Sequence, residues 1–124
     1  MTYQWDNKKP TAQMLGRWQP FHDGHYTLFK EIIKKTGQVC IQIRDVQGVD
    51  DNPFDFETLK KNIEDKLNPE YEGRFKIILV PNITNICYGR GVGYKIEEIV
   101  LPKEIQKISA TKIRAKMREE GKLK

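Results

Sequence analysis

The chain has 124 residues, and its 22 Lys and Arg outnumber its 17 Asp and Glu, so the formal net charge is +5 at pH 7. This length fits one domain with its own hydrophobic core. No apolar run approaches the roughly 20 residues of a membrane span, and the first residues lack the pattern of a secretory signal, so we expect a cytoplasmic protein without membrane contact. The positive charge indicates an anionic partner of unspecified kind.

The predicted elements alternate between strands and helices. Residues 1–11 form a polar lead-in, and 12–124 are expected to form a single domain. The first half of the chain predicts a strand at 11–15, a helix with apolar residues at 26–33 ending at Gly37, a strand at 39–44 and a turn-rich loop at 48–53. The second half predicts a helix from the cap Asp55 to Leu67, strands at 75–80, 86–88 and 96–101, and a helix at 109–120. This order favours an open parallel α/β sheet of about five strands with helices on both faces.

The turn after the first predicted strand contains both histidines of the chain, His22 and His25, in the run GRWQPFHDGH (16–25). A helix beginning near Asp23 would let both imidazoles face one point, beside a helix N-terminus that favours anions. Gly24 would let a ligand approach the backbone, and the Arg17 guanidinium suits phosphate. Capping or core histidines are the alternative interpretation, and Trp18 and Phe21 are more typical of core or lid residues than of base-stacking platforms.

The start of the last predicted helix is the second segment of interest. Ser109 and Thr111 offer hydroxyl groups and backbone N–H groups to an anion, and Arg114 follows within one turn of Thr111. The alternative is an N-cap followed by a solvated basic helix.

Both segments resemble signatures of the nucleotidyltransferase superfamily that carries an HxGH motif. The run GRWQPFHDGH is similar to GRFQPFHxGH, and ISATKIR (108–114) is similar to ISSTxxR or ISGTxxR, with Ala110 in place of the usual Ser or Gly. The resemblance implies a Rossmann-like sheet and a bound nucleoside triphosphate. It assigns catalytic roles to Arg17, His22, His25 and Arg114, and contacts with the nucleotide to Gly16, Trp18, Gly24, Ser109, Ala110 and Thr111.

Two intermediate stretches resemble the archaeal-type nicotinamide-nucleotide adenylyltransferases. Asn52-Pro53-Phe54 is similar to their NPFT segment, and residues 80–85 are similar to VPDINN. The region between Asn85 and Ser109 is shorter than in those enzymes and closer in length to the small cytidylyltransferases that use glycerol phosphate. The acceptor side of the site is assigned to Arg44, Asp45, Asn82 and Asn85, and the nucleotide side includes Cys87, Tyr88, Gly89 and Arg90.

Other signals are weaker. Residues 89–93 are rich in glycine but follow no GxGxxG spacing, so they form either a loop near the nucleotide or a plain connector, and no P-loop is present. Arg44 and Asp45 fit a surface ion pair equally well. Cys40 and Cys87 lie among apolar residues, which predicts small buried side chains rather than a disulfide. No third histidine or nearby cysteine completes a metal site.

The implied reaction is transfer of a nucleoside monophosphate from a nucleoside triphosphate to a phosphorylated small molecule, with release of pyrophosphate. The similarities in the intermediate stretches favour ATP, and the alternative is CTP with a polyol or sugar phosphate. Mg²⁺ would be bound mainly through the triphosphate, and a homodimer is one way to complete a shortened site. A binding module for nucleotide or nucleic acid is the competing class, but no nucleic-acid-binding motif accompanies the basic C-terminal residues.

Overall fold

A computed structural model describes residues 3–47, 52–91 and 93–122. It contains three strands and four helices in these ranges: β1 (Ala12–Gly16), α1 (Asp23–Thr36), β2 (Val39–Arg44), α2 (Phe56–Leu67), β3 (Phe75–Val80), α3 (Lys103–Gln106) and α4 (Ala110–Glu119). Most of the predicted loop at 48–53 lies outside the described residues. None of the helices in the described ranges has the length and apolar character that would be needed to cross a membrane.

The three strands form a parallel sheet in the order β1-β2-β3. The α/β class with a parallel sheet is therefore confirmed, but the predicted number of about five strands is wrong for the described part of the chain. Residues 86–88 and 96–101 form no strand, and Ile86, Ile96 and Val100 are largely exposed. Apolar composition favours a strand only where a neighbouring strand pairs with it, and neither segment has such a neighbour in the sheet.

The core lies on one face of this sheet. Alternate residues of β2 are fully buried, as expected for a strand whose side chains point to opposite faces. The register places Ile41 between Met14 and Ile77 on this face. The other members of the buried core come from the two long helices and from the turn after β1, namely Trp18, Phe21, Phe29, Ile32, Ile33, Leu59, Ile63 and Leu67.

The second face of the sheet is more polar. One row across the three strands contains Gln13, Cys40 and Lys76, and the next contains Leu15, Gln42 and Ile78. Each of these side chains is partly or largely exposed. Within the described ranges the prediction of helices on both faces is therefore not met, because polar residues in these rows leave little apolar surface for a helix to bury.

The helix ends follow the predicted caps. His22 is the N-cap of α1, and Gly37 ends that helix with a φ of 84°. Asp55 caps α2 by accepting a hydrogen bond from the Thr58 amide at 2.8 Å. Ser109 caps α4. Side-chain acceptors at these positions satisfy N–H groups that have no partner inside the helix.

Candidate functional site

The turn between β1 and α1 is attached to two other parts of the chain by Gln19. Its buried side chain donates to the Phe54 carbonyl and accepts from the Phe54 amide, both at 2.9 Å. Its backbone carbonyl accepts a hydrogen bond from the Arg114 guanidinium, which lies 95 residues away in sequence. Three of the four segments that carried the family resemblance therefore meet at Gln19, a residue that the sequence patterns did not single out.

His22 and His25 form a stacked pair at the start of α1. Their ring centroids are 3.6 Å apart, and the ring planes differ by 17°. His22 Nδ1 accepts from the Gly24 amide at 3.0 Å and the His25 amide at 3.4 Å. His25 Nδ1 accepts in return from the His22 amide at 3.1 Å. The pair thus forms a reciprocal capping box, so two amides expected to face an anion already donate to an imidazole.

This bonding pattern assigns the protonation state of both rings. A nitrogen that accepts a hydrogen bond carries no proton, so the neutral tautomer of each ring has its proton on Nε2. Burial lowers the pKa of His25 to about 3, with a further contribution from the neighbouring His22. Burial also lowers the pKa of His22, opposed by the charge of Asp23 and assisted by that of Lys66. Both imidazoles are therefore neutral near pH 7, and each carries an Nε2–H donor.

Two glycines make room for rings of this turn. A Cβ at Gly24 would lie 2.8 Å from Cε1 of His22, so the close approach at this position is made by the imidazole. A Cβ at Gly16 would lie 2.7 Å from the Trp18 indole. Trp18 itself is buried, donates from its indole N–H to the Gln42 carbonyl at 3.1 Å, and meets the His25 ring edge-on at 4.7 Å. It therefore packs as a core residue behind His25.

The start of α4 lies against the same turn. Ile108 and Ile113 line a cleft of about 270 Å³ together with Pro20, Phe21 and His22. Residues of both segments therefore line the same cleft. Arg114 is buried and also donates to the Thr111 hydroxyl at 3.3 Å, so its guanidinium connects α4 to the turn after β1. Ser109 is occupied as the N-cap, where it accepts from the Lys112 amide at 3.4 Å.

Two further cations come from the elements that surround the cleft. The Arg17 guanidinium donates to the Asn52 side-chain oxygen at 3.2 Å, which joins the first segment to the NPF stretch. Lys66, from the last turn of α2, lines the cleft and pairs with Asp23 at 3.0 Å. Sequence reasoning missed Lys66, because it looks like any solvated lysine near a helix end and 43 residues separate it from Asp23.

The residues assigned to the acceptor are only partly brought together. Arg44 donates to the Asn82 side-chain oxygen through Nε at 3.2 Å and Nη2 at 2.7 Å, at the carboxyl ends of β2 and β3. The Asp45 amide donates to the Val80 carbonyl at 2.8 Å at the same edge. Asn85 is exposed and accepts from the adjacent Thr84 hydroxyl at 2.6 Å.

The segment at 87–90, which was assigned to the nucleotide side, is exposed. Cys87, Tyr88, Gly89 and Arg90 have largely open surroundings, and nothing lies within 4 Å of the position that a Cβ would take at Gly89. In the described residues no hydrogen bond joins this segment to the histidine turn. The prediction that both cysteines are buried is wrong for Cys87, which is exposed, and Cys40 is half-buried on the polar face of the sheet. For both cysteines, apolar neighbours in the sequence do not determine whether the side chain is buried.

The fold and the cleft define an α/β domain with a candidate ligand site beyond the carboxyl end of β1, where such sheets bind ligands. No family model matches the chain. A stretch of 45 residues, 35% of this chain, is 44% identical to the nicotinamide-nucleotide adenylyltransferase of Methanococcus aeolicus, of which it covers 26%. Proteins of the same name from two strains of Methanococcus maripaludis are 44% identical over 36 residues, which is 29% of this chain and 21% of each relative. The chain thus matches about a quarter of the length of these relatives, which supports a nucleotidyltransferase-like relationship.

Proposed function

We propose that this protein is a nucleotidyltransferase that moves AMP from ATP to a phosphorylated small molecule. The observation that carries the proposal is the convergence of the histidine turn and the start of α4 on one cleft, joined through Gln19 and Arg114. Similarity of part of the chain to nicotinamide-nucleotide adenylyltransferases supports adenylyl transfer and makes a nicotinamide nucleotide the first acceptor to test.

In the proposed reaction an oxygen of the acceptor phosphate attacks the α-phosphorus of ATP. A new P–O bond forms, the bond from the α-phosphorus to the bridging oxygen of the β-phosphate breaks, and pyrophosphate leaves with the electron pair of that bond. No covalent intermediate with the protein is required. Catalysis would come from holding the two substrates in line and from donors placed where negative charge develops.

The stacked histidines suit this task as neutral donors. Their Nδ1 atoms are used within the capping box, which fixes the orientation of both rings and leaves Nε2–H as the donor of each. Donors that are already oriented need no rearrangement as charge develops in the transition state. We assign His22 and His25 to the phosphate oxygens around the α-phosphorus, and Arg17 and Arg114 to positioning the triphosphate and the segments that hold it.

The donor set does not fit a magnesium ion held by protein side chains. Among the described residues, no group of three or more His, Cys, Asp or Glu could hold a metal, and the carboxylate nearest the histidines in sequence, Asp23, pairs with Lys66. We therefore propose that Mg²⁺ enters on the oxygens of the nucleotide as part of the substrate, and no step is assigned to a metal on the protein.

Pyrophosphate release from each pairing of ATP or CTP with nicotinamide mononucleotide or glycerol 3-phosphate tests the proposal. We expect release with ATP and nicotinamide mononucleotide. Release only with CTP and glycerol 3-phosphate would replace the adenylyl assignment by a cytidylyl one. Failure of every pairing, in a preparation shown to be folded by circular dichroism, would count against nucleotidyl transfer to these acceptors.

The histidine role is tested by His25→Asn, because an asparagine side-chain oxygen can replace Nδ1 in accepting the His22 amide but supplies no group at Nε2. We expect turnover to fall by roughly a hundredfold or more, by analogy with removal of an oxyanion-hole donor. Lys61→Met is a suitable control, since Lys61 pairs with Asp65 on an exposed part of α2. Unchanged turnover in His25→Asn would remove His25 from the chemistry.

A further inference from the structure

The ion pair between Lys66 and Asp23 stands at the edge of the cleft, beside His22. The two groups are 3.0 Å apart, the Lys66 side chain is 32% exposed and that of Asp23 is 78% exposed. Both residues line the cleft. The pair links the last turn of α2 to the first turn of α1, so the lysine ammonium lies beside the mouth of the helix that carries both histidines.

An anion seated against His22 would meet the Asp23 carboxylate at close range, which is unfavourable while that charge acts alone. The lysine removes this difficulty in two ways. It supplies a positive charge at the same place, and it can transfer its hydrogen bonds from the carboxylate to the incoming anion. An exposed ion pair contributes little to stability, whereas a phosphate offers several strong acceptor oxygens.

We infer that Lys66 is a triphosphate-binding residue, held by Asp23 when the cleft is empty and transferred to the β- or γ-phosphate when nucleotide binds. Asp23 thereby acts as the internal competitor for the lysine. This inference rests on the proposed function for the identity of the ligand as a nucleoside triphosphate. The recognition itself requires only a polyphosphate, so inorganic tripolyphosphate serves as the probe.

The test is a double-mutant cycle on tripolyphosphate affinity, measured by calorimetry with the full chain. Lys66→Met should weaken binding by about tenfold or more, as expected for loss of a charged hydrogen bond. Asp23→Asn should strengthen binding, because it removes both the repulsion and the competing ion pair. In the Lys66→Met background, Asp23→Asn removes only the repulsion. The gain in tripolyphosphate affinity should then be smaller by about two- to fivefold, the range for an exposed ion pair.

The control is Lys61→Met, which removes an ion pair of 3.1 Å from the same helix. We expect its tripolyphosphate affinity to match that of the parent protein. An equal gain from Asp23→Asn in both backgrounds, undiminished affinity in Lys66→Met, or no tripolyphosphate binding by the parent protein would each overturn the inference.

These results separate the inference from the proposed function. If the cycle behaves as expected while no pairing of nucleotide and acceptor releases pyrophosphate, Lys66 is an anion-binding residue in a protein with another activity. If pyrophosphate is released from ATP while Lys66→Met binds tripolyphosphate as the parent does, the proposed function stands and the role of Lys66 is refuted.

Discussion

Acid should destabilise this protein through its histidine pair. In the folded protein the pKa of His25 is about 3, against 6.5 for an unperturbed imidazole. Below pH 6.5 the unfolded chain therefore binds a proton that the native state does not, so acid favours unfolding and stability rises with pH. The stabilisation is fully present above the unfolded pKa and is lost progressively as the pH falls from 6.5 towards about 3.

The size of the effect follows from the same two pKa values. Between them the free energy of unfolding changes by at most about 1.4 kcal/mol per pH unit for one proton. Moving from about pH 8 to about pH 5 should cost about 2 kcal/mol through His25 alone. The pKa of His22 is also lowered by burial, so its contribution has the same sign. Because the chain contains only these two histidines, no other imidazole contributes in this range.

The assay is urea unfolding followed by far-UV circular dichroism at both pH values, on the parent protein and on His25→Asn. The variant keeps an acceptor for the His22 amide but cannot titrate, so its loss between the two pH values should be smaller by about 2 kcal/mol. His22→Asn combined with His25→Asn should abolish the histidine contribution, and asparagine is a good N-cap residue. An equal loss in parent and His25→Asn, or an NMR titration of His25 near pH 6.5, would refute the buried neutral pair.

Two other substitutions examine how the site is assembled. Alanine normally stabilises a helix by up to about 1 kcal/mol relative to glycine, but Gly24→Ala should not, because its Cβ would displace the His22 ring that caps α1. Urea unfolding and the NMR signals of His22 measure this effect. A more stable protein with unchanged His22 signals would contradict it. Arg114→Ala should lower the free energy of unfolding by about 1.5–3 kcal/mol, because it leaves the Gln19 carbonyl without its charged donor. It should also weaken ATP binding in calorimetry. Lys112→Ala, on an exposed part of the same helix, is the control, and a stability equal to that control would show that the guanidinium holds nothing in place.

The elements that could be predicted are those whose signal is local. The apolar spacing in α1 and α2 and the alternation in β2 each reflect burial of one face, and the caps Asp55 and Ser109 are read within a few residues. The strand predicted at 96–101 fails because pairing depends on a neighbour that the local pattern cannot reveal. The helix α3 was missed because four residues are too few to show a helical period.

The residues of the candidate site likewise separate into those with a local sequence signal and those without one. The histidine turn could be located because its residues act on one another within one helical turn, and the structure shows the same few residues bonding to each other. Gln19, Lys66 and the burial of Arg114 depend on contacts across 35, 43 and 95 residues. Contacts between residues so far apart produce no periodic pattern in a single sequence. The exposed segment at 87–90 was assigned to the nucleotide side as part of a glycine-rich loop, with a plain connector as the alternative, and its role remains a prediction.

The acceptors that hold Arg17, in the turn after β1, and Lys66, in the lining of the cleft, differ in a way that bears on ligand binding. Arg17 donates to the neutral amide oxygen of Asn52, whereas Lys66 donates to the carboxylate of Asp23. A phosphate that replaces the Asn52 amide as the partner of Arg17 adds a charge interaction and breaks none. A phosphate that binds Lys66 must first break the ion pair with Asp23. Arg17 should therefore contribute to polyphosphate affinity in full, and the contribution of Lys66 should be reduced by about two- to fivefold, the range for its exposed ion pair. Asp23→Asn removes the carboxylate that competes for Lys66. In that background the losses of tripolyphosphate affinity caused by Arg17→Met and Lys66→Met should therefore become more nearly equal. Calorimetry on the three single variants and the two double variants measures this change, and an unchanged ratio would show that Asp23 does not compete with the ligand for Lys66.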